Sequence, residues 1–189
     1  MTLLIGIFGP AGAGKSSVAN YLVEKYGAKR YSFATALKLC AQRTLDFTDE
    51  QVFGTQAQKE TIDPRYGFTP RWFLQRLGTE GCRKTFGEDF WVKQTMQIIY
   101  ADKQPIAVID DARFLSEADA VHNFALADIH HSSFWRLESP GRETSDPGTH
   151  ASEREWMDVT YDMLLKPTAR GLDELFALVD GCMQELSTI

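Results

Sequence analysis

The sequence predicts an α/β fold: a parallel five-stranded sheet with helices on both faces. Three observations predict it. Short apolar runs alternate with helix-length amphipathic segments along the 189 residues, the pattern of parallel strands joined by helical crossovers. The run Pro105-Ile106-Ala107-Val108-Ile109 is continuously apolar, as a strand covered on both faces must be. Third, the run Leu3-Leu4-Ile5-Gly6-Ile7-Phe8 ends in a glycine-rich turn that opens directly into a helix.

Each element can be justified in order. Leu3 to Phe8 is the first strand. Ser17 to Tyr26 is the first helix, with Val18, Tyr21, Leu22 and Lys25 at i, i+3, i+4, i+7 and Gly27 as its stop. Lys29 to Phe33 reads as a second strand, and Thr35 to Leu45 as a helix. Residues 46–68 are polar and rich in turn formers, so short pieces and loop are expected. Thr69-Pro70 is a helix start, with threonine as N-cap and proline at N1. Trp72, Phe73, Leu74, Leu77 and Phe86 give that helix its apolar positions, and Gly87 ends it. Phe90 to Tyr100 is another helix. Strand 105–109 follows, then a helix to Phe124 that Ser116 is placed to cap. Ser133 to Glu138 is the fourth strand. Residues 139–150, with Pro140, Gly141, Pro147 and Gly148, read as a loop. Tyr161 to Leu165 is the fifth strand, and Gly171 to Leu186 the last helix.

The turn after the first strand carries the chemistry. Gly9-Pro10-Ala11-Gly12-Ala13-Gly14-Lys15-Ser16 reads G-x-x-x-x-G-K-S, the P-loop pattern, in its required strand–turn–helix setting. The glycines let backbone N–H groups wrap a phosphate without a Cβ in the way. The helix N-terminus adds partial positive charge. Lys15 brings a full charge to the β/γ-phosphates, and the Ser16 hydroxyl is a Mg²⁺ ligand. Gly9, Ala11, Gly12, Ala13, Gly14, Lys15, Ser16 and Ser17 are therefore the expected ATP-binding residues. In a parallel sheet, ligands sit at the carboxyl ends of the strands. The P-loop, Phe33, Asp110-Asp111 and the 139–150 loop all belong to that end.

Composition narrows the partners. No apolar run is long enough to span a bilayer. Cys40, Cys82 and Cys182 form neither a disulfide framework nor a metal-binding spacing, so thiols in a reducing, cytoplasmic setting are expected. A net charge of −6 argues against nucleic-acid polymers. Small nucleotides remain, because a few converging basic residues suffice for them. There is no N-K-x-D segment of the kind that reads guanine. The middle of the chain instead carries Arg65, Arg71, Trp72, Arg76, Arg83, Trp91 and Arg113. Arginine forks of this kind suit a second phosphate, that of a phosphorylated acceptor.

Three segments together resemble the phage-type deoxynucleoside monophosphate kinases. One is Thr69-Pro70-Arg71-Trp72-Phe73-Leu74-Gln75-Arg76-Leu77-Gly78-Thr79-Glu80-Gly81-Cys82-Arg83, continuing to Gly87-Glu88-Asp89-Phe90-Trp91-Val92. The second is Val108-Ile109-Asp110-Asp111-Ala112-Arg113-Phe114-Leu115-Ser116-Glu117-Ala118, and the third His150-Ala151-Ser152-Glu153. The resemblance spans roughly residues 3–165. It implies an adenylate-kinase-like P-loop kinase fold, ATP as phosphoryl donor, a deoxynucleoside monophosphate as acceptor and frequently a homodimer; a phage-encoded member would act in the host cell cytoplasm. One departure concerns substrate choice: Ser17 stands after Ser16 where some relatives carry an acidic residue that helps bind substrate.

The expectation is a single P-loop kinase domain over 1–189, with a helical acceptor-binding insertion at about 46–100 and a short lid at about 139–152. Lys15, Arg113 and Arg142 are the expected catalytic residues, Arg142 as the lid arginine. Ser16 and Asp110 are the expected Mg²⁺ residues, Asp110 directly or through water, with Asp111 left open as the carboxylate that serves the metal; a base or a turn cap are the other roles of either aspartate. The expected substrate-binding set is Phe33, Trp72, Gln75, Arg76, Thr79, Arg83, Trp91, Asp111, Arg113, His150 and Glu153. Most have a plainer alternative. Arg113 could pair with Asp110 or Asp111, Arg76 and Arg83 could be a solvated helix face, Gln75 and Thr79 an ordinary polar face, and the aromatics core. Arg76 and Arg83 lie seven apart on one predicted helix, so both can face the same way. Other functions left open are a kinase for another small metabolite, such as dephospho-coenzyme A, and an ATP-binding switch module.

Overall fold

The structure is a computed structural model that describes residues 1–10, 12–112, 114–124, 130–138, 140, 159–169 and 171–187. Five strands form one parallel sheet: β1 (Thr2–Phe8), β2 (Lys29–Tyr31), β3 (Ile106–Ile109), β4 (His130–Leu137) and β5 (Met163–Leu165). Their order is β2-β3-β1-β4-β5. The helices are α1 (Lys15–Tyr26), α2 (Thr35–Leu45), α3 (Asp49–Phe53), α4 (Gln56–Glu60), α5 (Pro70–Arg76), α6 (Lys84–Phe86), α7 (Phe90–Asp102), α8 (Leu115–Phe124) and α9 (Leu172–Leu186). A π-helical stretch, Leu77–Arg83, joins α5 to α6. The chain divides into two compact units, one of Met1–Ser32 with Ile99–Ile189 and the other of Phe33–Ile98.

The first unit holds the sheet. β1 is central, paired to β3 on one side and β4 on the other, so its residues are buried on both faces. Ile5, Ile7, Val108, Trp135, Leu137 and Leu165 form one face, and Val18 and Leu22 of α1 pack there with Leu175, Val179 and Met183 of α9. The other face carries Gly6, whose missing side chain makes room for Phe134 and for Val121 of α8. Phe8 and Phe134 stack there at 4.6 Å. Apolar burial of this extent on both faces is the main favourable term in folding. Tyr21, Lys25 and Tyr26 in the second half of α1 all donate to Asp180 in the middle of α9, tying the two helices together.

β4 begins three residues earlier than the apolar pattern predicts. His130 to Ser132 pair with Thr2 to Leu4, so backbone register extends the strand where side-chain pattern gives no signal. β2 and β5 are shorter than predicted. Ser116 is not the cap of α8. The helix already starts at Leu115, and the Glu117 carboxylate reaches back to accept the Phe114 N–H at 3.1 Å.

The second unit is helical. Ala41, Phe47 and Val52 form its small core with Phe68, Phe73 and Leu74 against them. Thr69 caps α5 by accepting the Trp72 N–H, with Pro70 in the first turn. α3 and α4 each open with a capping box, Thr48 with Gln51 and Thr55 with Gln58, which explains two short helices inside a polar stretch. Asp63 is buried and bound by Arg65 and Gln51, fixing the turn before α5.

Candidate nucleotide-binding site

The P-loop spans the end of β1 and the start of α1. Gly9 has φ 146°, and a Cβ there would lie 2.3 Å from the Leu137 carbonyl oxygen, so only glycine fits beside β4. Gly14 is the N-cap of α1 at φ 100°, and no side chain caps that helix end. A helix that starts inside a glycine loop directs its first-turn amides at an anion. Lys15 Nζ donates to the carbonyls of Gly9 at 2.7 Å and Pro10 at 2.8 Å. Its ammonium is thus held over the loop in which a phosphate would lie. Gly12 and Ser17 belong to the same turn and first helical turn, and Ala13 is buried beneath them. Ala11 lies outside the described residues.

Asp110 follows the last residue of β3 and is 5% exposed. Ser16 donates its hydroxyl proton to Asp110 Oδ2 at 2.8 Å. Arg30 of β2 grips the same carboxylate with two bonds, Nε to Oδ1 at 2.8 Å and Nη2 to Oδ2 at 2.5 Å. Its Nη2 also reaches Ser16 Oγ at 3.2 Å, and its Nη1 reaches Asn20 Oδ1 at 3.0 Å. The sheet register explains the cluster. Arg30 is level with Val108, two residues before Asp110, so all three side chains leave the sheet on the face that α1 covers. The neighbouring Asp111 accepts from Ser32 Oγ at 2.5 Å.

This donor set fits Mg²⁺. A hydroxyl and a carboxylate are hard oxygen ligands, and Mg²⁺ usually takes only one or two protein groups besides phosphate and water. Among the described residues no group of three or more His, Cys, Asp or Glu side chains is arranged to hold a metal by itself. A guanidinium already stands where the cation's charge would be needed.

In the helical unit, Trp72 is 47% exposed, with Phe68 at 5.1 Å and the Arg76 guanidinium at 5.4 Å from its ring centre. Arg76 also pairs with Glu80. Gln75 and Thr79 are exposed, and Arg83 is half-buried. Phe33 and Trp91 are buried, and the Trp91 indole N–H donates to the Gly78 carbonyl at 3.1 Å. The stretch from Leu77 to Arg83 is π-helical rather than α-helical. An i→i+5 pattern turns less per residue, so seven residues no longer complete two turns, and the shared-face argument for Arg76 and Arg83 fails. Arg113, Arg142, His150 and Glu153 lie outside the described residues.

Comparison with known proteins decides the family. The chain is 33% identical over 203 aligned residues to a protein of Acanthamoeba polyphaga mimivirus named "Putative deoxynucleotide monophosphate kinase", covering 98% of each chain. The chain belongs to the deoxynucleotide monophosphate kinase family. No protein-family model matches it. Among solved structures it resembles the dephospho-CoA kinase of Campylobacter jejuni, at 13% identity and TM-score 0.51, over 99% of this chain and 97% of that one. It also resembles a Thermus thermophilus protein of known crystal structure, at 15% identity and TM-score 0.50, over 98% of each chain. These likenesses show the fold, that of P-loop kinases. No helix among the described residues of this family member is long and apolar enough to cross a membrane.

Sequence reading of this kinase missed Arg30 and Asn20. Arg30 was visible only as a charge inside a short strand. β2 is the edge strand of the sheet, where a charged residue is ordinary, so nothing local marked Arg30 as part of the site.

Proposed function

We propose that the protein transfers the γ-phosphoryl group of ATP to a deoxynucleoside monophosphate, giving ADP and the deoxynucleoside diphosphate. The observation that carries the phosphoryl-transfer part is the Ser16–Asp110 hydrogen bond beside the Lys15-bearing loop. The acceptor class is supported by the name of the mimivirus relative and by the arginine-rich segment 71–83.

Little covalent chemistry is asked of the chain in such a reaction; positioning and charge neutralisation supply the rate. The P-loop amides and Lys15 hold the β- and γ-phosphates. Lys15 exchanges its contacts with the Gly9 and Pro10 carbonyls for phosphate oxygens. Ser16 and Asp110 would hold Mg²⁺, Asp110 directly or through water; the ion, when bound, neutralises charge on the β/γ oxygens. Arg83 and Arg113 grip the acceptor phosphate, with Asp111 nearby in sequence to orient Arg113. Trp72 offers a ring face to the acceptor base, and Gln75 and Thr79 offer hydrogen bonds to base or sugar. Arg142 meets the charge that builds on the moving phosphoryl group.

The test is a coupled assay for ADP across the deoxy- and ribonucleoside monophosphates, with dephospho-coenzyme A included. The expected result is kcat/KM for the preferred deoxynucleotide at least about tenfold above that for its ribonucleotide. Equal use of the ribonucleotide overturns the deoxy assignment. Turnover of dephospho-coenzyme A alone moves the acceptor to another class. ATP binding without any transfer leaves a switch module.

A further inference from the structure

We infer that Arg30 is a resident counter-cation of the metal site: it holds Asp110 and Ser16 in ligand arrangement and competes with free Mg²⁺ for both, so that the metal enters only together with the nucleotide phosphates. The inference rests on the reading of Ser16 and Asp110 as metal ligands, and not on which acceptor the enzyme uses.

The argument begins with the lone pairs. Ser16 spends its proton on Asp110 Oδ2. Its oxygen therefore faces away from Asp110 as an acceptor, the role it must play toward a metal. Arg30 Nη2 is bonded there, at 3.2 Å, while also bonded to Oδ2. One guanidinium nitrogen thus takes electron pairs on the two atoms through which this chain would hold Mg²⁺. Nε covers the remaining carboxylate oxygen.

The energetics follow from burial. A carboxylate 5% exposed is costly to leave without a compensating charge. Arg30 provides that charge in advance, and the site is charge-balanced before any metal arrives. Free Mg²⁺ must then displace a bidentate guanidinium and shed hydration for only two protein oxygens, a poor exchange. Nucleotide phosphates change it in two ways. They supply further oxygen ligands for the metal, and they add negative charge that a displaced arginine can face. The Arg30 side chain is 40% exposed, against 4% for Asp110, so the arginine can swing outward while the carboxylate stays. Asn20, bonded to Nη1, gives it a second hold on α1.

A strut joining β2 to β3 would look similar in one respect: it would also use a buried pair. It makes a different prediction about metal. The experiment titrates Mn²⁺, followed by electron paramagnetic resonance, into the full-length nucleotide-free protein. Wild type, Arg30→Gln, Arg30→Lys and the double variant Arg30→Gln/Asp110→Asn are compared, with Mg²⁺-dependent thermal stabilisation as a second readout. Removing one charge-assisted bidentate grip should tighten free Mn²⁺ binding by at least about tenfold in Arg30→Gln. The gain should vanish in the double variant, and Arg30→Lys, which keeps the charge but loses the fork, should fall between. Unchanged or weaker Mn²⁺ binding in Arg30→Gln overturns the inference and leaves a strut. If Arg30→Gln does not fold, two results still decide. Wild-type protein that binds free Mn²⁺ as tightly without nucleotide as with it overturns the inference, and tighter binding by Arg30→Lys than by wild type supports it. No acceptor or turnover enters these measurements, so an error in the proposed acceptor would show in the ADP assay and leave them untouched.

Discussion

Replacing Lys15 by alanine tests the site most directly, because the structure gives the side chain two separable jobs. In the structure its ammonium donates to the Gly9 and Pro10 carbonyls at 2.7 and 2.8 Å. With nucleotide bound, the same charge should sit on the β/γ-phosphates. Loss of one preorganised electrostatic contact to a transferring group costs about 3 kcal/mol of transition-state stabilisation, which is about 150-fold in kcat. The loop contacts are part-buried, so their loss should cost about 1–2 kcal/mol, or a fall in Tm of roughly 2–8 °C for a chain of this size. The assay is steady-state ADP release by Lys15→Ala at saturating ATP and acceptor, paired with a thermal melt without nucleotide. A folded variant that turns over within about threefold of wild type would refute the reasoning, since no preorganised charge would then act on the phosphoryl group. An unchanged Tm with a collapsed kcat would refute only the loop-tying job.

Gly9→Ala should lower stability by about 3 kcal/mol or more, because a strained φ adds to a Cβ placed 2.3 Å from a β4 carbonyl that cannot move alone; a thermal melt within about 2 °C of wild type would count against the loop geometry. Arg83→Ala should raise KM for the monophosphate by about tenfold and leave KM for ATP within about twofold, and the reverse pattern would take Arg83 away from the acceptor. Asp63, bound first by Arg65 and then by Gln51, is held well below the usual carboxylate range. Its folded pKa lies below the unfolded value of about 3.9, so its stabilisation is complete above that value and is lost as pH falls toward the folded one. Urea unfolding should therefore show Asp63→Asn less stable than wild type at pH 7, with the gap narrowing below about pH 4; a gap independent of pH would show that the ion pair is not the source.

Parts of this protein are settled by residues close together in the chain. The P-loop is one: Gly9 to Ser16 are contiguous, and the glycines are required by local backbone conformation and by the approach of a phosphate. The order of strands and helices is another, because apolar runs of different period mark each element locally. The Thr69-Pro70 start was legible for the same reason, as its cap and its proline act within one turn.

What the sequence alone could not decide depends on neighbours brought together by the sheet. Arg30 and Asp110 are 80 residues apart, and only the pairing of β2 with β3 puts them on one face beneath α1. The extension of β4 back to His130 is decided by pairing to β1, since backbone hydrogen bonds need a partner strand and not an apolar pattern. The π-helical stretch from Leu77 to Arg83 is likewise tertiary in part: α and π windings share an apolar code at this length, and the buried Trp91 indole binds the Gly78 carbonyl within it. The sequence determined the loop that can take a phosphate. The fold decided which charges surround it, because electrostatic partners are chosen by distance in space and the chain records distance only along itself.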